Sequence, residues 1–246
     1  MKRVLVTGGT GFLGRHLVRK ILEGTPDVEI LTLSRNETNI AMLQTMNVSD
    51  RLSSIVGDIR DTEVLESVLQ GVDTVVHLAS MKHVDLCESC AWEAVTTNVS
   101  GTMNLLVLFS GDTLVTVSTS RAVAPVNCYE ATKLLMEKLV LEQAGRQDSD
   151  ARYMVVRIGD VVDPDSCVGG PVKQQGGRGK RGSPAAEYRN GIIYIDAAVA
   201  LILAVIERGK NGATYTPEVK DPDLGVSIYH RGSKMSRKLP AGVHTT

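Results

Sequence analysis

The sequence predicts an α/β fold built on a doubly wound parallel sheet. Short apolar runs rich in β-branched residues alternate along the chain with stretches of helical period. The first of these runs passes through a glycine turn directly into a helical stretch, which is typical of a parallel strand followed by its crossover helix. At 246 residues the chain is long enough for one large domain with a small addition.

The first strand, predicted at Val4–Val6, runs into Gly8, Gly11 and Gly14, and the helical period begins at Leu13. A strand that enters a helix through glycines presents free N–H groups at a positive helix end, where a pyrophosphate binds. Gly8 would form the tight turn, Gly11 would admit the phosphates, and Gly14 would let helix and strand pack closely. This pattern predicts a Rossmann fold whose cofactor-binding residues here are Gly8, Thr10, Gly11, Phe12, Leu13 and Gly14.

The second strand is predicted at Val28–Leu33, and Ser34 and Arg35 follow it. An acidic residue at this place would bind the ribose 2′-hydroxyl of NAD, whereas a hydroxyl and a guanidinium suit a 2′-phosphate. The sequence therefore favours NADP over NAD. A solvated turn is the alternative, and Glu37 could still reach a ribose.

The third strand, Ser53–Val56, precedes Asp58 and Ile59. Asp58 could accept a hydrogen bond from the adenine amino group while Ile59 packs on the ring. It could equally cap the helix that begins near Thr62, and Asp61 is also available as that cap.

The fourth strand, Thr74–Leu78, ends in Ala79 and Ser80, whose small side chains would let a cofactor lie over the strand edge. We therefore assign Leu78, Ala79 and Ser80 to the cofactor site. Lys82 and His83 come next, and they are either surface charges or groups that face the nicotinamide and the substrate.

The segment Ala91–Phe109 has a helical period and contains Asn98. An asparagine inside a helix is unfavourable unless its amide bonds a water or a backbone kink. We include Asn98 in the predicted cofactor site.

The fifth strand, Leu114–Val117, leads to Thr119, and a later helix carries Tyr129 and Lys133 four residues apart, on one face. A phenol has a pKa of about 10, so it is a poor base at neutral pH. A nearby ammonium and an oxidised nicotinamide would lower that pKa, and Tyr129 could then exchange a proton with a hydroxyl or carbonyl. Thr119 could hydrogen-bond the same oxygen. We predict Tyr129, Lys133 and Thr119 as catalytic residues.

The sixth strand, Tyr153–Ile158, ends the predicted NADP-binding domain at residues 1–160. Residues 161–246 are predicted to form a short substrate-binding part that is no independent domain. Its loop 168–190 is rich in glycine and basic residues, and it is either a mobile surface loop or a lid over an anionic substrate. A strand at Ile192–Ile195 and a helix from a capping Asp196 to Arg208 are predicted after it.

The composition excludes several classes of function. With 27 basic and 28 acidic residues, no net charge draws the chain to nucleic acid or an anionic membrane. The apolar run Ala197–Ile206 is too short to span a bilayer, and no signal segment precedes the first strand. Cys87 and Cys90 lack a second ligand pair for zinc, so we expect no metal site and reduced thiols in the cytoplasm.

These motifs together resemble the extended short-chain dehydrogenases/reductases and, among them, the nucleotide-sugar 4,6-dehydratase branch of polysaccharide-biosynthesis proteins. The resemblance is dense over residues 1–160. It implies NADP, a UDP-linked sugar such as UDP-N-acetylglucosamine as substrate, and a homo-oligomer. It is carried by Thr7–Gly14, Ser34–Glu37, Gly57–Asp61, Ala79–Val84, Thr97–Gly101, Ser118–Thr119, Tyr129 and Ala131–Lys133.

One departure concerns the reaction. The dehydratases that this chain resembles have Asp-Lys after Ser-Thr, and they use that pair to remove the C5 proton and expel the C6 hydroxyl. Here Ser120 and Arg121 take those places at the predicted substrate site, and neither is a good acid or base at neutral pH. Oxidation at C4 by Tyr129 survives the change, and the hydride would return to C6 after dehydration or to C4 in epimerisation. An NADPH-dependent ketone or keto-sugar reductase and a catalytically idle NADP-binding protein are the alternatives.

Overall fold

The computed structural model describes residues 1–146, 150–163, 192–219, 226–230 and 233–235. Its centre is a parallel sheet of seven strands in the order β3-β2-β1-β4-β5-β6-β9. The strands in chain order are β1 (Arg3–Thr7), β2 (Glu29–Ser34), β3 (Leu52–Val56), β4 (Thr74–His77), β5 (Thr113–Thr119), β6 (Arg152–Ile158), β7 (Asp160–Val162), β8 (Ile192–Tyr194), β9 (Thr214–Tyr215), β10 (Pro217–Val219), β11 (Val226–His230) and β12 (Ser233–Met235).

Eight α-helices are described in these parts of the chain. They are α1 (Phe12–Gly24), α2 (Glu37–Met46), α3 (Thr62–Leu69), α4 (Val84–Ser89), α5 (Ala91–Val95), α6 (Gly101–Leu108), α7 (Cys128–Ala144) and α8 (Ile195–Arg208). A π-helical turn, Thr96–Ser100, joins α5 to α6, and a 3₁₀ turn, Ser120–Val123, follows β5. The predicted single helix over 91–109 is therefore interrupted, because the chain widens into the π turn around Asn98.

The predicted doubly wound sheet is confirmed. The strand order reverses at β1, which pairs with β2 on one side and β4 on the other, so a crevice opens where the two halves diverge. The first six predicted strands lie in the sheet at their predicted places, and the strand predicted at Ile192–Ile195 is β8, which pairs with β7 outside this sheet. The structure adds β9, which pairs with β6 through Val155 and Val156, at the edge of the sheet.

Both faces of the sheet are covered by apolar helices. Val4 and Val6 point to one face and pack with α1 and α8, whereas Leu5 points to the other and packs with α3, α6 and α7. Burial on both faces explains why the strands read as continuous apolar runs rather than alternating ones. The rigid sheet places the carboxyl ends of its strands along one edge.

The layered unit extends past residue 160, where the sequence analysis places its end. Helix α8 packs on α1, β5 and β6, and Tyr215 of β9 is buried in the same core. Helix α8 begins at Ile195 with Tyr194 as its N-cap, so Asp196 lies in the first turn and is not the cap that the sequence suggested. The loop 168–190 lies outside the described residues. Among the described helices none is both long and apolar enough to cross a membrane.

Candidate active site

A cavity of about 780 Å³ opens at the carboxyl ends of the central strands. It brings together most of the residues that the sequence analysis assigned to cofactor and substrate. Those that line it are Gly8, Thr10, Gly11, Phe12, Leu13, Gly14, Ser34, Arg35, Asp58, Ile59, Leu78, Ala79, Ser80, Lys82, Thr119, Arg121, Tyr129 and Lys133. Asn98, His83 and Ser120 are not in its wall.

The glycine loop between β1 and α1 has no room for a side chain at Gly8 or Gly14. Gly8 has a φ of 70°, and a Cβ added there would lie 2.8 Å from the backbone nitrogen of Ala79. A Cβ on Gly14 would lie 2.5 Å from the carbonyl oxygen of Gly8. Gly11 is the N-cap of α1 and has no side chain to satisfy the first-turn N–H groups. These positions fit a pyrophosphate at the start of α1.

The end of β2 carries hydroxyl and basic groups. Ser34 accepts a hydrogen bond from the Thr10 hydroxyl at 3.0 Å, and Arg35 lies 3.6 Å from Asp58 with about half of its side chain exposed. Asn36 caps α2 by accepting from the backbone N–H of Asn39 at 2.9 Å, and both asparagines line the cavity. The sequence did not predict these two asparagines as site residues. An asparagine after a strand gives the same signal in the sequence whether it caps a helix or lines a binding site.

Asp58 is held by Arg60, whose Nη2 donates to its Oδ2 at 2.8 Å and whose backbone N–H donates to its Oδ1 at 2.9 Å. Burial alone would raise the pKa of Asp58, but these hydrogen bonds outweigh it and the pKa is lowered. The cap of α3 is Asp61, which accepts from Glu63 and Val64. The capping role suggested for Asp58 is therefore wrong, and Asp58 lines the cavity.

Asn98 is fully buried beside the cavity rather than in it. Its Oδ1 accepts from the Met81 N–H at 2.7 Å, and its Nδ2 donates to the Met81 carbonyl at 3.0 Å and the Thr132 hydroxyl at 2.9 Å. The amide thus ties the loop after β4 to α7. Of the two residues that follow Met81, Lys82 lines the cavity, whereas His83 is the N-cap of α4.

Tyr129 and Lys133 lie in the first turns of α7, whose N-cap Asn127 accepts from the Glu130 N–H at 2.9 Å. Burial raises the pKa of Tyr129 to about 12, and Arg121 acts in the opposite direction. The sequence predicts that Lys133 lowers this pKa. In the structure its ammonium donates to the Val117 carbonyl at 2.8 Å, and burial lowers the pKa of Lys133 to about 8.

The end of β5 supplies further polar groups. The Thr119 hydroxyl accepts from the Arg121 N–H at 3.3 Å, and Arg121 forms an ion pair with Asp160 at 2.6 Å. Ser118, which sequence reasoning did not single out as a site residue, has a buried hydroxyl in the cavity wall with no hydrogen-bond partner among the described residues. A buried hydroxyl without a partner in such a wall fits a site that takes a polar ligand.

Within the described residues no group of three or more His, Cys, Asp or Glu side chains could hold a metal ion. Cys87, Cys90 and Cys128 are free thiols.

Residues 4–237 match the family described as polysaccharide biosynthesis protein. The match covers nearly the whole chain, including the glycine loop and the Tyr129 helix. The chain belongs to the polysaccharide biosynthesis protein family.

The curated relatives of this polysaccharide biosynthesis protein include an uncharacterised membrane protein of Methanocaldococcus jannaschii, which is 35% identical over 234 residues, 91% of this chain and 69% of that protein. A UDP-N-acetylglucosamine 4,6-dehydratase (inverting) of Campylobacter jejuni is 31% identical over 246 residues, 97% of this chain and 73% of that enzyme. The resemblance to extended short-chain dehydrogenases/reductases of the nucleotide-sugar dehydratase branch is confirmed.

Solved structures agree with this family assignment. Pen from Bacillus thuringiensis superposes with a TM-score of 0.74 at 28% identity, covering 89% of this chain and 68% of that one. A dTDP-glucose 4,6-dehydratase from Streptomyces venezuelae with NAD bound superposes with a TM-score of 0.69 at 26% identity, covering 87% and 74%.

Proposed function

We propose that this protein is an NADP-dependent nucleotide-sugar dehydratase or epimerase that oxidises a UDP-linked sugar at C4 and later returns the hydride. The observation that carries the proposal is the meeting of Tyr129, Lys133 and Thr119 with the glycine loop in one cavity. A relative that spans the chain, the Campylobacter enzyme, is named for UDP-N-acetylglucosamine.

In this proposal Tyr129 is the base. Its phenolate oxygen would take the proton of the sugar C4 hydroxyl, and Thr119 would hydrogen-bond the same oxygen. Because burial raises the pKa of Tyr129 to about 12, the phenol needs positive charge close by to ionise near neutral pH. Lys133 and Arg121 both line the cavity, and Arg121 already acts to lower this pKa. A bound nicotinamide dinucleotide would supply the hydride acceptor, which later serves as the hydride donor.

NADP is our choice of cofactor because of the groups at the end of β2. The Ser34 hydroxyl and the half-exposed Arg35 guanidinium line the cavity there, and both suit a 2′-phosphate. The Streptomyces structure holds NAD, so the cofactor of this chain needs its own measurement.

The residues at the end of β5 decide between dehydration and epimerisation. Elimination needs a base at C5 and an acid at C6. Ser120 is not in the cavity wall, and Arg121 is paired with Asp160. These observations favour return of the hydride to C4 by an enzyme that does not eliminate water. The substrate-binding role of residues 161–246, the homo-oligomer and the cytoplasmic location remain predictions.

Product analysis of the purified protein tests this function. Nucleotides that travel with the protein are identified by mass spectrometry, and the protein is then incubated with UDP-N-acetylglucosamine and related UDP-sugars, deuterated at C4. An epimer of unchanged mass with no net change in NADPH supports the proposal and the return of the hydride to C4. A product lighter by one water, also without net change in NADPH, supports C4 oxidation but contradicts the preference for epimerisation. Stoichiometric consumption of NADPH with a keto-substrate supports the reductase instead, and a bound cofactor without any turnover supports an idle binding protein.

Replacing Tyr129 by phenylalanine separates catalysis from binding. We expect Tyr129→Phe to lower turnover by roughly 10²–10⁴-fold, the usual contribution of a positioned acid–base group, while NADP affinity stays within a few-fold. Tyr153→Phe is the matched control, since that phenol lies in the core of β6 outside the cavity wall. Near-normal turnover of Tyr129→Phe would remove Tyr129 from the mechanism.

A further inference from the structure

Lys133 is a buried ammonium, because its side chain lies between α7 and the sheet with only 4% exposure. Its Nζ donates to the Val117 carbonyl at 2.8 Å and lies 3.8 Å from the sulfur of Met136. A charge in such a place is strongly disfavoured unless an opposite charge lies near it. The proposed role of Lys133 requires the charged form, so a negative charge is needed close to its ammonium.

The nearest candidate is Glu137, one helical turn further along α7 and 1% exposed. Arg157 of β6 holds the carboxylate, with its Nε 2.9 Å from Oε1 and 3.1 Å from Oε2, and its Nη2 also donates to Oε2. In the pairing of β5 with β6, Arg157 lies opposite Ser118. The residue before Ser118 is Val117, whose carbonyl accepts the hydrogen bond from Lys133. Lys133, which lines the cavity, thus shares α7 with the Glu137 carboxylate that Arg157 holds from the neighbouring strand β6.

Glu137 is the carboxylate that acts on the charge of Lys133. The other buried carboxylate of α7, Glu130, instead accepts from the Val126 N–H at 2.9 Å. On β4, His77 is fully buried and stays neutral, since burial and then Lys133 lower its pKa to about 3. Tyr129 precedes Lys133 on α7, and Arg157 on β6 is already bound to Glu137. Burial lowers the pKa of Lys133, and Glu137 is the charge that acts against this effect.

We propose that Glu137 is a positioning residue: its buried carboxylate, clamped by Arg157, keeps Lys133 charged and directed at the end of β5, where Tyr129 works. The inference rests on the proposed function for its catalytic consequence. The effect on Lys133 itself is independent of which substrate the protein turns over.

The variant that tests this is Glu137→Gln, which keeps the shape and removes the charge. We expect the titration of Lys133, followed by NMR of ¹³Cε-labelled lysine and assigned by its loss in Lys133→Met, to move about one pH unit or more toward acid. The alkaline limb of the kcat profile moves by the same amount, because Lys133 loses its proton at a lower pH. Glu142→Gln is the matched control, since that glutamate is exposed on the same helix and pairs only loosely with Arg146, at 3.6 Å.

Glu137→Gln leaves the Arg157 guanidinium without its carboxylate, which destabilises the fold, so the double variant Glu137→Gln/Arg157→Gln, which removes both charges, is made beside it. An acid shift is expected in both variants, and it is smaller in the double variant, because the Arg157 cation is removed together with the carboxylate. An unchanged Lys133 titration in a folded variant overturns the inference. If the wild type turns over no UDP-sugar but Lys133 shifts as expected, the proposed function fails while the role of Glu137 in holding the charge stands.

Discussion

Arg35 is the residue on which the proposed choice of cofactor depends. Its guanidinium lies at the end of β2, half exposed, and its nearest nitrogen is 3.6 Å from the Asp58 carboxylate. An exposed ion pair of this length is weak, so a 2′-phosphate can replace Asp58 as the partner of Arg35. Hydrogen bonds to charged groups contribute about 1.5–3 kcal/mol each, so Arg35→Ala should weaken NADP by roughly 10–100-fold and NAD by less than about threefold. Fluorescence titration with both cofactors measures this.

The control for that titration is Arg19→Ala, which removes an exposed arginine of α1 whose contact with Glu23 is 3.9 Å long. It should leave both affinities unchanged. Equal losses for NADP and NAD in Arg35→Ala would contradict the phosphate assignment.

Single residues differ in how far the sequence could place them. The glycines and the Tyr129–Lys133 pair could be predicted, because a tight turn and a four-residue helical spacing are local properties. The pairing of Arg121 with Asp160 could not, since the two residues come from different strand ends and meet only in the folded sheet. For the same reason the sequence predicted a lowered pKa for Tyr129, whereas burial in the assembled site raises it.

Among the elements, the helical segment around Asn98 shows why the local sequence pattern did not predict every helix boundary. The period of residues 91–109 predicts one helix, but the chain forms α5, a π-helical turn and α6. The partners of Asn98, Met81 and Thr132, lie 17 and 34 positions away. A tertiary contact of this kind has no periodic signal in the sequence, so the break in the helix could not be predicted. Strand β9 could not be predicted either, because two residues are too few to show an alternating pattern.

The π turn gives a stability prediction for Asn98→Ala. The change leaves the partly buried Met81 N–H without its partner and leaves the Met81 carbonyl with only the Cys87 thiol as a donor, at 3.6 Å. A buried group left unsatisfied costs about 1–3 kcal/mol. We expect a loss of roughly 2–4 kcal/mol in the free energy of unfolding, measured with urea, and weaker retention of the cofactor. The control Asn104→Ala removes longer bonds of 3.2 and 3.5 Å from the same helical segment and should cost less. Equal stability of Asn98→Ala and wild type would exclude this role.

Across the whole molecule, a buried hydrogen-bond chain joins the end of β1, just before the glycine loop, to the helix layer through His77. The Thr102 hydroxyl donates to the Asn98 carbonyl at 2.7 Å, so it accepts from Nε2–H of His77 at 3.0 Å. Nδ1 of His77 then carries no proton and accepts from the Thr7 hydroxyl at 2.7 Å, which itself accepts from the Ala79 N–H. The network therefore fixes one neutral tautomer of His77, assigned here from its partners.

A neutral His77 makes the stability of the whole fold sensitive to acid. Burial, and then Lys133, lower its pKa from 6.5 to about 3, so below pH 6.5 the unfolded chain takes up a proton that the folded chain refuses. The stability from this group is complete above pH 6.5 and is lost as the pH falls toward 3. Between pH 7 and pH 5 the wild type should lose about 2 kcal/mol more than His77→Gln, which cannot titrate there. Urea unfolding of both proteins at the two pH values measures the difference, and equal losses would mean that His77 accepts a proton in the folded state.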